Sequence, residues 1–273
     1  MVGVPLEVIL RRDRAIVAAA LVVLIALAWS YVLWLAADMD MGGMEMSGFR
    51  MVPAGMGLMR PAAAPWNAIE LAFVFVMWAV MMIGMMTPSA TPMILLYARV
   101  GGQAATKGKA LAATWWFAAG YLLVWTAFAF AATLAQWVLE RESLLTPAMA
   151  GSGGVFGGVV MIAAGLYQWM PLKDACLQQC QAPWLFIQRH GGFRGNALGS
   201  LWLGARHGIY CVGCCWALMA LLFVGGVMNV LWIAAITIFV LAEKVVPAGR
   251  AISRIAGLGF LAWGVWLLAD ALL

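Results

Sequence analysis

Residues 15–37 read AIVAAALVVLIALAWSYVLWLAA, an apolar run without a single charged side chain. An α-helix rises about 1.5 Å per residue, so roughly 20 apolar residues span the hydrocarbon core of a bilayer. This run is long enough to do so, and it is too long for a secretory signal peptide and lacks an obvious small-residue cleavage site. We therefore interpret it as a retained transmembrane helix.

The rest of the chain has the same apolar character. Of its 273 residues, 66% are hydrophobic and 10% are charged, and the mean hydropathy is +0.97. Ordinary soluble domains are about half apolar and a quarter charged. The composition predicts an all-α fold, a polytopic transmembrane bundle of about seven helices. The predicted spans are 15–37, 67–87, 110–137, 153–170, 207–225, 228–243 and 255–273.

Lysine and arginine predict the orientation, because positively charged residues near helix ends stay in the cytoplasm. With the N-terminus inside, all but three of the 16 fall on the cytoplasmic side, the exceptions being Arg50, Arg60 and Arg141. The net charge of +5 then reflects topology, and we expect no nucleic-acid partner. The expected location is the bacterial inner membrane, with a cytoplasmic N-terminus and the lipid bilayer as surroundings.

This topology divides the chain into three parts. They are the cytoplasmic N-terminus with the first helix (1–37), an external methionine-rich loop (38–66) and a six-helix core (67–273) with a cytoplasmic, cysteine-containing loop (171–206). The external loop is rich in glycine and proline, so it has no core for its methionines to fill. These are Met39, Met41, Met44, Met46, Met51, Met56 and Met59. Thioethers bind Cu(I) without deprotonation, which predicts metal capture; a loop lying on the membrane surface is the alternative.

The second span carries a further set of thioethers. Met77, Met81 and Met85 repeat every four residues, and Glu70 stands about two turns before Met77. One face of a helix would therefore present a carboxylate and three thioethers, a path along which a soft ion can step. Packing between transmembrane helices is the alternative role. Pro88 and Pro92 predict a break or a kink near the inner end of this helix.

All five cysteines fall between positions 176 and 215. On a helix, His207 and Cys211 share a face with Cys214 and Cys215, and Cys176 and Cys180 are likewise one turn apart. Thiolates with imidazole suit Cu(I), and also zinc or an iron–sulfur cluster. On the reducing side of a membrane a disulfide framework is not expected. The alternatives to ligation are thiol redox exchange and packing as small buried hydrophobes.

Four segments of the chain resemble a bacterial family of uncharacterised, predicted metal-binding integral membrane proteins. They are MMIGMMTPSATPM (81–93), PLKDACLQQCQAP (171–183), HGIYCVGCCWALMALLFVGGVMNVLW (207–232) and AEKVVPAG (242–249). The most specific part has the pattern HGxYCxGCCW, and the resemblance covers residues 66–250. Gln181 stands where the family pattern has a basic residue. The resemblance implies a metal-binding membrane protein and supplies no reaction.

These features favour a membrane protein that captures Cu(I) at the external methionines and passes it inward to the cysteine and histidine side chains. We expect a binding or transfer protein rather than an enzyme, with the metal ion and a metallochaperone or metalloenzyme as partners. The alternative is a membrane redox enzyme or a metalloenzyme assembly factor that uses the Cys/His cluster. A scaffold for a membrane complex is a third interpretation. No phosphate-binding P-loop is present in the sequence, so transport would be passive or gradient-driven.

Overall fold

The computed structural model describes residues 6–39, 49–55, 58–61, 64–106, 114–146 and 149–272, and of residues 6–13 and 102–106 it describes only the backbone. These residues form ten helices and one small sheet. The helices are α1 (Leu6–Met39), α2 (Ala68–Thr106), α3 (Thr114–Arg141), α4 (Gly154–Tyr167), α5 (Pro171–Gln181), α6 (Pro183–Arg189), α7 (Ala197–Ala220), α8 (Leu222–Gly225), α9 (Val230–Val245) and α10 (Gly249–Leu272). The strands are β1 (Phe49–Met51) and β2 (Met59–Pro61). The fold is therefore an all-α bundle, as predicted.

Five helices within the described ranges are long and apolar enough to cross a membrane. They cover residues 14–39, 68–101, 114–141, 197–225 and 249–272. The predicted fourth and sixth spans coincide with α4 and α9, which have only 14 and 16 residues. The α4 helix ends early because Met170, the residue before Pro171, has an extended backbone. The chain then continues into α5 at an angle of 65°, and the bent pair counts as a sixth candidate span.

The α7 helix begins earlier than the sequence predicts. The fifth span was expected to start at His207, but α7 starts at Ala197, where the Asn196 side chain accepts a hydrogen bond from the Gly199 N–H as an N-cap. Arg206 lies just before the predicted span, but it does not interrupt the helix. Its exposed side chain points away from the bundle. Residues 171–206, expected to be a loop, thus contain α5, α6 and the start of α7. The cysteines of α7 therefore lie in the second half of the helix, not in its first turns.

Glycine contacts hold neighbouring helices together. A Cβ added to Gly158 on α4 would lie 2.9 Å from the carbonyl oxygen of Gly264 on α10, and a Cβ added to Gly264 would lie 2.8 Å from the carbonyl oxygen of Gly158. Gly154 and Gly158 stand one turn apart on α4, and two small residues at this spacing allow a neighbouring helix to approach closely. Gly120 on α3 and Gly204 on α7 make a similar but tighter contact, with such a Cβ only 1.9 Å from a backbone oxygen of the opposite helix. This contact sets the distance between α3 and α7.

The two prolines of α2 do not break the helix. It runs without interruption from Ala68 to Thr106, with Pro88 and Pro92 inside it. Pro88 has no N–H for the carbonyl of Gly84, one turn earlier. The Trp29 indole N–H of α1 donates to this carbonyl at 3.3 Å. The freed acceptor is therefore satisfied by protein, and α1 is fixed against α2.

β1 and β2 pair antiparallel within the region predicted to be a loop, with Arg50 opposite Arg60 and Met51 opposite Met59. This hairpin lies beside the first residues of α2. We call this side of the bundle the hairpin end. The end of α3 and the loop that follows it lie at the same end, because they line one cavity together with Arg50 and Met51.

Candidate metal centre

Side chains from four helices meet around one sulfur atom in the bundle. Cys211 on α7 has only 2% of its surface exposed. Its Sγ atom lies 3.0 Å from the Nζ atom of Lys244 on α9 and 3.1 Å from the hydroxyl oxygen of Tyr121 on α3. The Lys244 ammonium also donates to the Ser89 hydroxyl on α2 at 3.1 Å. Cys211 is therefore the central residue of the candidate site.

Three more thiols surround Cys211. Cys214 and Cys215 follow on the same helix, and their thiols donate to the Cys211 carbonyl oxygen at 3.1 and 2.9 Å. The Cys180 thiol on α5 lies near the thiols of Cys211 and Cys214, close enough to influence them electrostatically. A thiol that bonds to a carbonyl of its own helix makes only a weak, local interaction. These sulfur atoms can therefore turn toward a soft metal ion at small energetic cost.

Cys176 lies one turn before Cys180 and faces the α7 backbone. A Cβ added to Gly213 would lie 2.8 Å from the Cys176 Sγ atom, so α5 approaches α7 this closely because the facing residue is a glycine. The Tyr167 hydroxyl donates to the carbonyl oxygen of the same glycine. The two cysteine groups, separate in sequence, thus belong to one cluster of free thiols between α5 and α7.

A thioether extends this sulfur cluster. Met86 on α2 is fully buried, and its Sδ atom lies 4.0 Å from the Sγ atom of Cys215. The Met86 carbonyl accepts hydrogen bonds from the Tyr121 hydroxyl at 3.0 Å and from the Ser89 hydroxyl at 2.9 Å. These bonds fix α2 against the site, so Met86 is held beside the thiols.

His207 lies one turn before Cys211 and is 2% exposed. Its ring packs among the rings of Phe117, Tyr121 and Phe186, with centroids 6.0, 5.7 and 5.2 Å away. The Nδ1 atom is buried and has no hydrogen-bond partner in the structure. A buried polar atom without a partner costs about 1–3 kcal/mol. A metal ion or a bound water would relieve this cost, which fits the prediction that His207 is a ligand.

A buried ion pair lies directly beside this centre. Lys173 on α5 and Glu243 on α9 have 0% and 1% of their surfaces exposed, and the Lys173 Nζ atom donates to both carboxylate oxygens at 2.7 and 3.0 Å. The Ser253 hydroxyl donates to the same carboxylate at 2.5 Å, and Lys173 also donates to the side-chain oxygen of Gln168. Both charges are therefore paired and hydrogen-bonded, as buried charges must be.

Glu243 also fixes the position of α5 through its backbone. Its carbonyl oxygen accepts a hydrogen bond from the Gln181 side chain at 2.7 Å. Lys173 and Gln181 stand near opposite ends of α5, with both α5 cysteines between them. The next residue, Lys244, contacts Cys211. The pair Glu243–Lys244 thus connects the cysteines of α5 to those of α7.

The predicted site residues fall into three groups. The first surrounds Cys211: His207, Cys214, Cys215, Cys176 and Cys180. The second is buried in α2 with 1% exposure: Met77, Met81 and Met85. The third lies in the described residues near the hairpin end: Met39, Met51, Met59 and Glu70. Met41, Met44, Met46 and Met56 lie outside the described residues.

Two of these placements change the interpretation of the residues. Both carboxylate oxygens of Glu70 accept hydrogen bonds from arginines of the hairpin, from Arg50 at 2.6 and 3.0 Å and from Arg60 at 3.3 Å. Glu70 therefore anchors the hairpin, because two guanidinium groups already offset the charge that would attract an ion. The hairpin itself was not predicted, so these two arginines were not considered as partners of Glu70.

The methionine that reaches the thiols, Met86, belongs to a neighbouring stripe of α2. Trp78, Met82 and Met86 repeat every four residues, one position after the predicted stripe and about 100° around the helix from it. The Trp78 indole N–H donates to the Gln136 side chain of α3 at 2.7 Å, and Met86 contacts Cys215. This stripe therefore faces α3 and the cysteines.

The thiols are not arranged as a complete coordination shell. Within the described residues, no group of three or more His, Cys, Asp and Glu side chains has the geometry of a metal site. The thiols of Cys214 and Cys215 turn to a carbonyl, and Lys244 occupies the position next to Cys211. Metal binding thus requires rotation of these side chains and movement of the Lys244 ammonium.

A family model described as "Copper chaperone", named PpoB2, matches residues 75–267. The chain belongs to this copper chaperone family. The matched range includes α3 to α9 and most of α2, so it contains every residue of the centre around Cys211. No curated protein and no solved structure matches the chain.

Membership of the copper chaperone family agrees with the expected copper-related, metal-binding role. The matched range begins after the hairpin, so the methionine-rich loop lies outside it. The family match therefore supports the association with copper for the helical core, and the capture role of the loop depends on the methionines themselves.

Sequence reasoning missed four residues of the centre in this copper chaperone family member. They are Lys244, Tyr121, Ser89 and Met86. A signal for Lys244 exists, because two adjacent charges, Glu243 and Lys244, at the end of an apolar span indicate buried partners. Tyr121 and Ser89 are single polar residues in apolar helices, and no sequence pattern connects them to Cys211.

Proposed function

We propose that this protein is a membrane-embedded Cu(I) chaperone that receives copper at the hairpin end and holds it on the thiols around Cys211. The observation that carries the proposal is that the buried residues Cys211, Cys214, Cys215 and Met86 converge in one place, with the half-buried Cys180 beside them. A site with several sulfur atoms and few hard oxygen ligands selects a soft ion such as Cu(I). Copper is the cargo of this site.

The ligand set follows from the contacts. Cys211 is the central ligand, because the thiols of Cys180, Cys214 and Cys215 are all adjacent to it. His207 supplies an imidazole nitrogen without a competing partner. Cys176, next to Gly213, lies at the edge of the cluster. It binds the copper ion during transfer to or from a partner protein. Zinc remains a competitor for such a set, but thioether participation favours copper.

The route to the site runs along α2. Its five buried methionines, Met77, Met81, Met82, Met85 and Met86, provide thioethers over the length between the hairpin end and the cysteines. Thiolates bind soft ions more tightly than thioethers, so an ion moving inward goes downhill in free energy. On this route Met86 is the last thioether before the thiols, since its Sδ atom lies 4.0 Å from the Sγ atom of Cys215.

We propose that the protein lies in the bacterial inner membrane with its N-terminus in the cytoplasm. The three arginines predicted to be external, Arg50, Arg60 and Arg141, all lie near the hairpin end, which supports this orientation. The hairpin and the methionine loop then face outward, where thioethers resist oxidation better than thiols. A metallochaperone or a metalloenzyme would accept the ion from the thiols.

The direct experiment is elemental analysis of protein purified without oxygen from copper-supplemented cells in mild detergent. The unaltered protein is expected to retain Cu(I), and the Cys211→Ser/Cys214→Ser/Cys215→Ser variant is expected to lose it. Met161→Leu is the control, because it removes a buried sulfur of α4 that belongs to neither the centre nor α2. Equal copper content in the cysteine variant and the control would exclude the site.

The same preparation tests the alternative of thiol redox chemistry. A redox role predicts that Cys211 pairs with another cysteine on mild oxidation and that copper content is unrelated to activity. All five cysteines are free in the structure, and Cys211 is 2% exposed, so a partner protein has poor access to it. This burial favours metal binding over disulfide exchange.

A further inference from the structure

A cavity at the hairpin end is not part of the cysteine centre. Its volume is about 670 Å³, which lies within the range of sites for small ligands. Its walls come from β1, the segment before α2, the end of α3 and the loop that follows α3. On α2, Glu70 lies at the height of the cavity and Met86 at the height of the cysteine centre. At 1.5 Å per residue, these two positions are about 24 Å apart along the helix axis. The cavity is therefore a separate place.

Two thioethers and a carboxylate line this cavity. Met51 comes from β1, Met149 comes from the loop after α3, and Glu140 is in the last turn of α3. The Glu140 oxygens accept hydrogen bonds from the Trp66 indole at 3.1 Å and from the Gln136 amide at 2.9 Å. Each carboxylate oxygen has more than one lone pair, so Glu140 can still accept a cation. Thioethers with one oxygen ligand suit a soft ion held weakly.

The backbone of Met149 gives an independent reason to assign a role to its side chain. Its φ angle is +57°, in the left-handed region that long side chains rarely adopt. Its N–H donates to the Thr146 carbonyl at 2.9 Å, and its carbonyl accepts from the Val227 N–H at 3.2 Å, so this conformation is fixed from both sides. Glycine or asparagine would adopt it more easily. A methionine in this strained conformation is one of the residues that line the cavity, where a thioether can act as a ligand.

Glu140 also connects the cavity with the interior. Gln136 donates to Glu140 and accepts from the Trp78 indole N–H at 2.7 Å, and both Gln136 and Trp78 are fully buried. Trp78 begins the stripe of α2 that ends with Met86 beside Cys215. The cavity therefore adjoins the helix face that leads to the thiols.

Two arginines in the cavity wall do not oppose a cation there. Arg50 donates to Glu70 and to the carbonyl oxygens of Pro61 and Ala64, so its charge is offset by acceptors on the hairpin and α2. Arg141 is exposed, and its guanidinium lies over the Trp137 ring, 5.9 Å from the centroid. Arg141 keeps its charge, but its exposure to solvent screens that charge. Glu140 is the one acidic residue among the described residues that line the cavity.

We propose that the cavity is a second metal site, in which Met51, Met149 and Glu140 hold a soft monovalent cation before it moves to the thiols. This inference rests on the proposed function, because an entry site has a role only if the thiols are the destination. The ion is bound more weakly here than at Cys211, since thioethers and one carboxylate replace thiolates.

The test measures binding of Ag(I), a redox-stable probe for Cu(I) sites, to the full-length protein in detergent by equilibrium dialysis. The parent is the Cys211→Ser/Cys214→Ser/Cys215→Ser variant, which lacks the strong site. Adding Met51→Leu and Met149→Leu is expected to remove one bound Ag(I) ion per chain. Adding Met161→Leu instead, the matched loss of a thioether elsewhere, is expected to leave the number unchanged.

An unchanged Ag(I) count after the Met51→Leu/Met149→Leu substitution overturns the cavity site and leaves the cysteine site intact. Failure of the proposed function has a different signature, because the cysteine substitutions themselves would then leave the Ag(I) count unchanged. Leucine keeps the size of methionine, and Met51→Leu alone serves as the second variant if the double substitution fails to fold. That single variant is expected to weaken binding of the same ion.

Discussion

The ammonium group of Lys244 lies 3.0 Å from the Sγ atom of Cys211, and it donates to the Ser89 hydroxyl at 3.1 Å. A positive charge thus occupies the place beside the sulfur where a monovalent metal ion would bind. Lysine has a flexible stem, and Ser89 gives its ammonium a second partner. The centre is therefore arranged to exchange one positive charge for another when copper arrives or leaves.

Replacing Lys244 by glutamine is expected to tighten Cu(I) binding about tenfold. Two unit charges about 4 Å apart repel by on the order of 4 kcal/mol at an effective dielectric constant of 20, and movement of the ammonium toward Ser89 relieves only part of this. Competition with a colorimetric Cu(I) chelator measures the affinity. Arg254→Gln, which removes an exposed cation of α10, is the control. Weaker binding by Lys244→Gln would mean that the ammonium supports the bound ion.

The cysteines are expected to differ in importance according to their position. Cys211→Ser should weaken Cu(I) binding about a hundredfold, or about 2.8 kcal/mol, because this sulfur contacts the thiols of Cys180, Cys214 and Cys215. Cys176→Ser should weaken it less than about tenfold, because Cys176 lies at the edge of the cluster beside Gly213. The same chelator competition compares the two. Equal losses would contradict a centre at Cys211.

The contact between α3 and α7 predicts a strong effect of adding one methyl group. In Gly120→Ala or Gly204→Ala the new Cβ would lie 1.9 Å from a backbone oxygen of the opposite helix, so the helices must separate. We expect a lower melting temperature in detergent and weaker copper binding, because Tyr121 moves away from Cys211. Gly259→Ala is the control, since a Cβ there meets nothing within 4 Å. Similar melting temperatures for all three variants would rule out this close contact.

The buried pair of Lys173 and Glu243 predicts a non-additive pair of substitutions. Lys173→Met leaves the Glu243 carboxylate buried without its charge partner and should destabilise the protein by about 3–5 kcal/mol. The double variant Lys173→Met/Glu243→Met removes both charges and should recover most of that loss. Thermal unfolding monitored by circular dichroism measures both. If the double variant is no more stable than Lys173→Met, the unpaired charge of Glu243 is not the cause of the lost stability.

The sequence predicted the helices well because their signal is local. Apolar runs of sufficient length, such as residues 15–37, indicate membrane-length helices without any knowledge of the neighbours. The close approach at Gly158 also has a local signal, because small residues one turn apart are typical of a helix contact. The helix ends were less accurate. The predicted span begins directly after Arg206, but a charged side chain can point away from the bundle without interrupting the helix.

The membership of the cysteine cluster was predictable in part. The spacing of His207, Cys211, Cys214 and Cys215 on one helix follows from helical geometry alone. The approach of Cys180 to Cys211, and the contact of Lys244 with the same sulfur, depend on how α5, α7 and α9 pack. Such long-range contacts leave no periodic pattern in one sequence. The hairpin partners of Glu70 were missed for the same reason.

X-ray absorption at the copper edge of protein loaded with Cu(I) under reducing conditions tests the copper centre most directly. We expect Cu(I) with a shell composed mainly of sulfur in the unaltered protein. We also expect loss of this sulfur shell in the Cys211→Ser/Cys214→Ser/Cys215→Ser variant. A shell dominated by oxygen or nitrogen, or the same sulfur shell in that variant, would contradict a copper centre built on the thiols around Cys211.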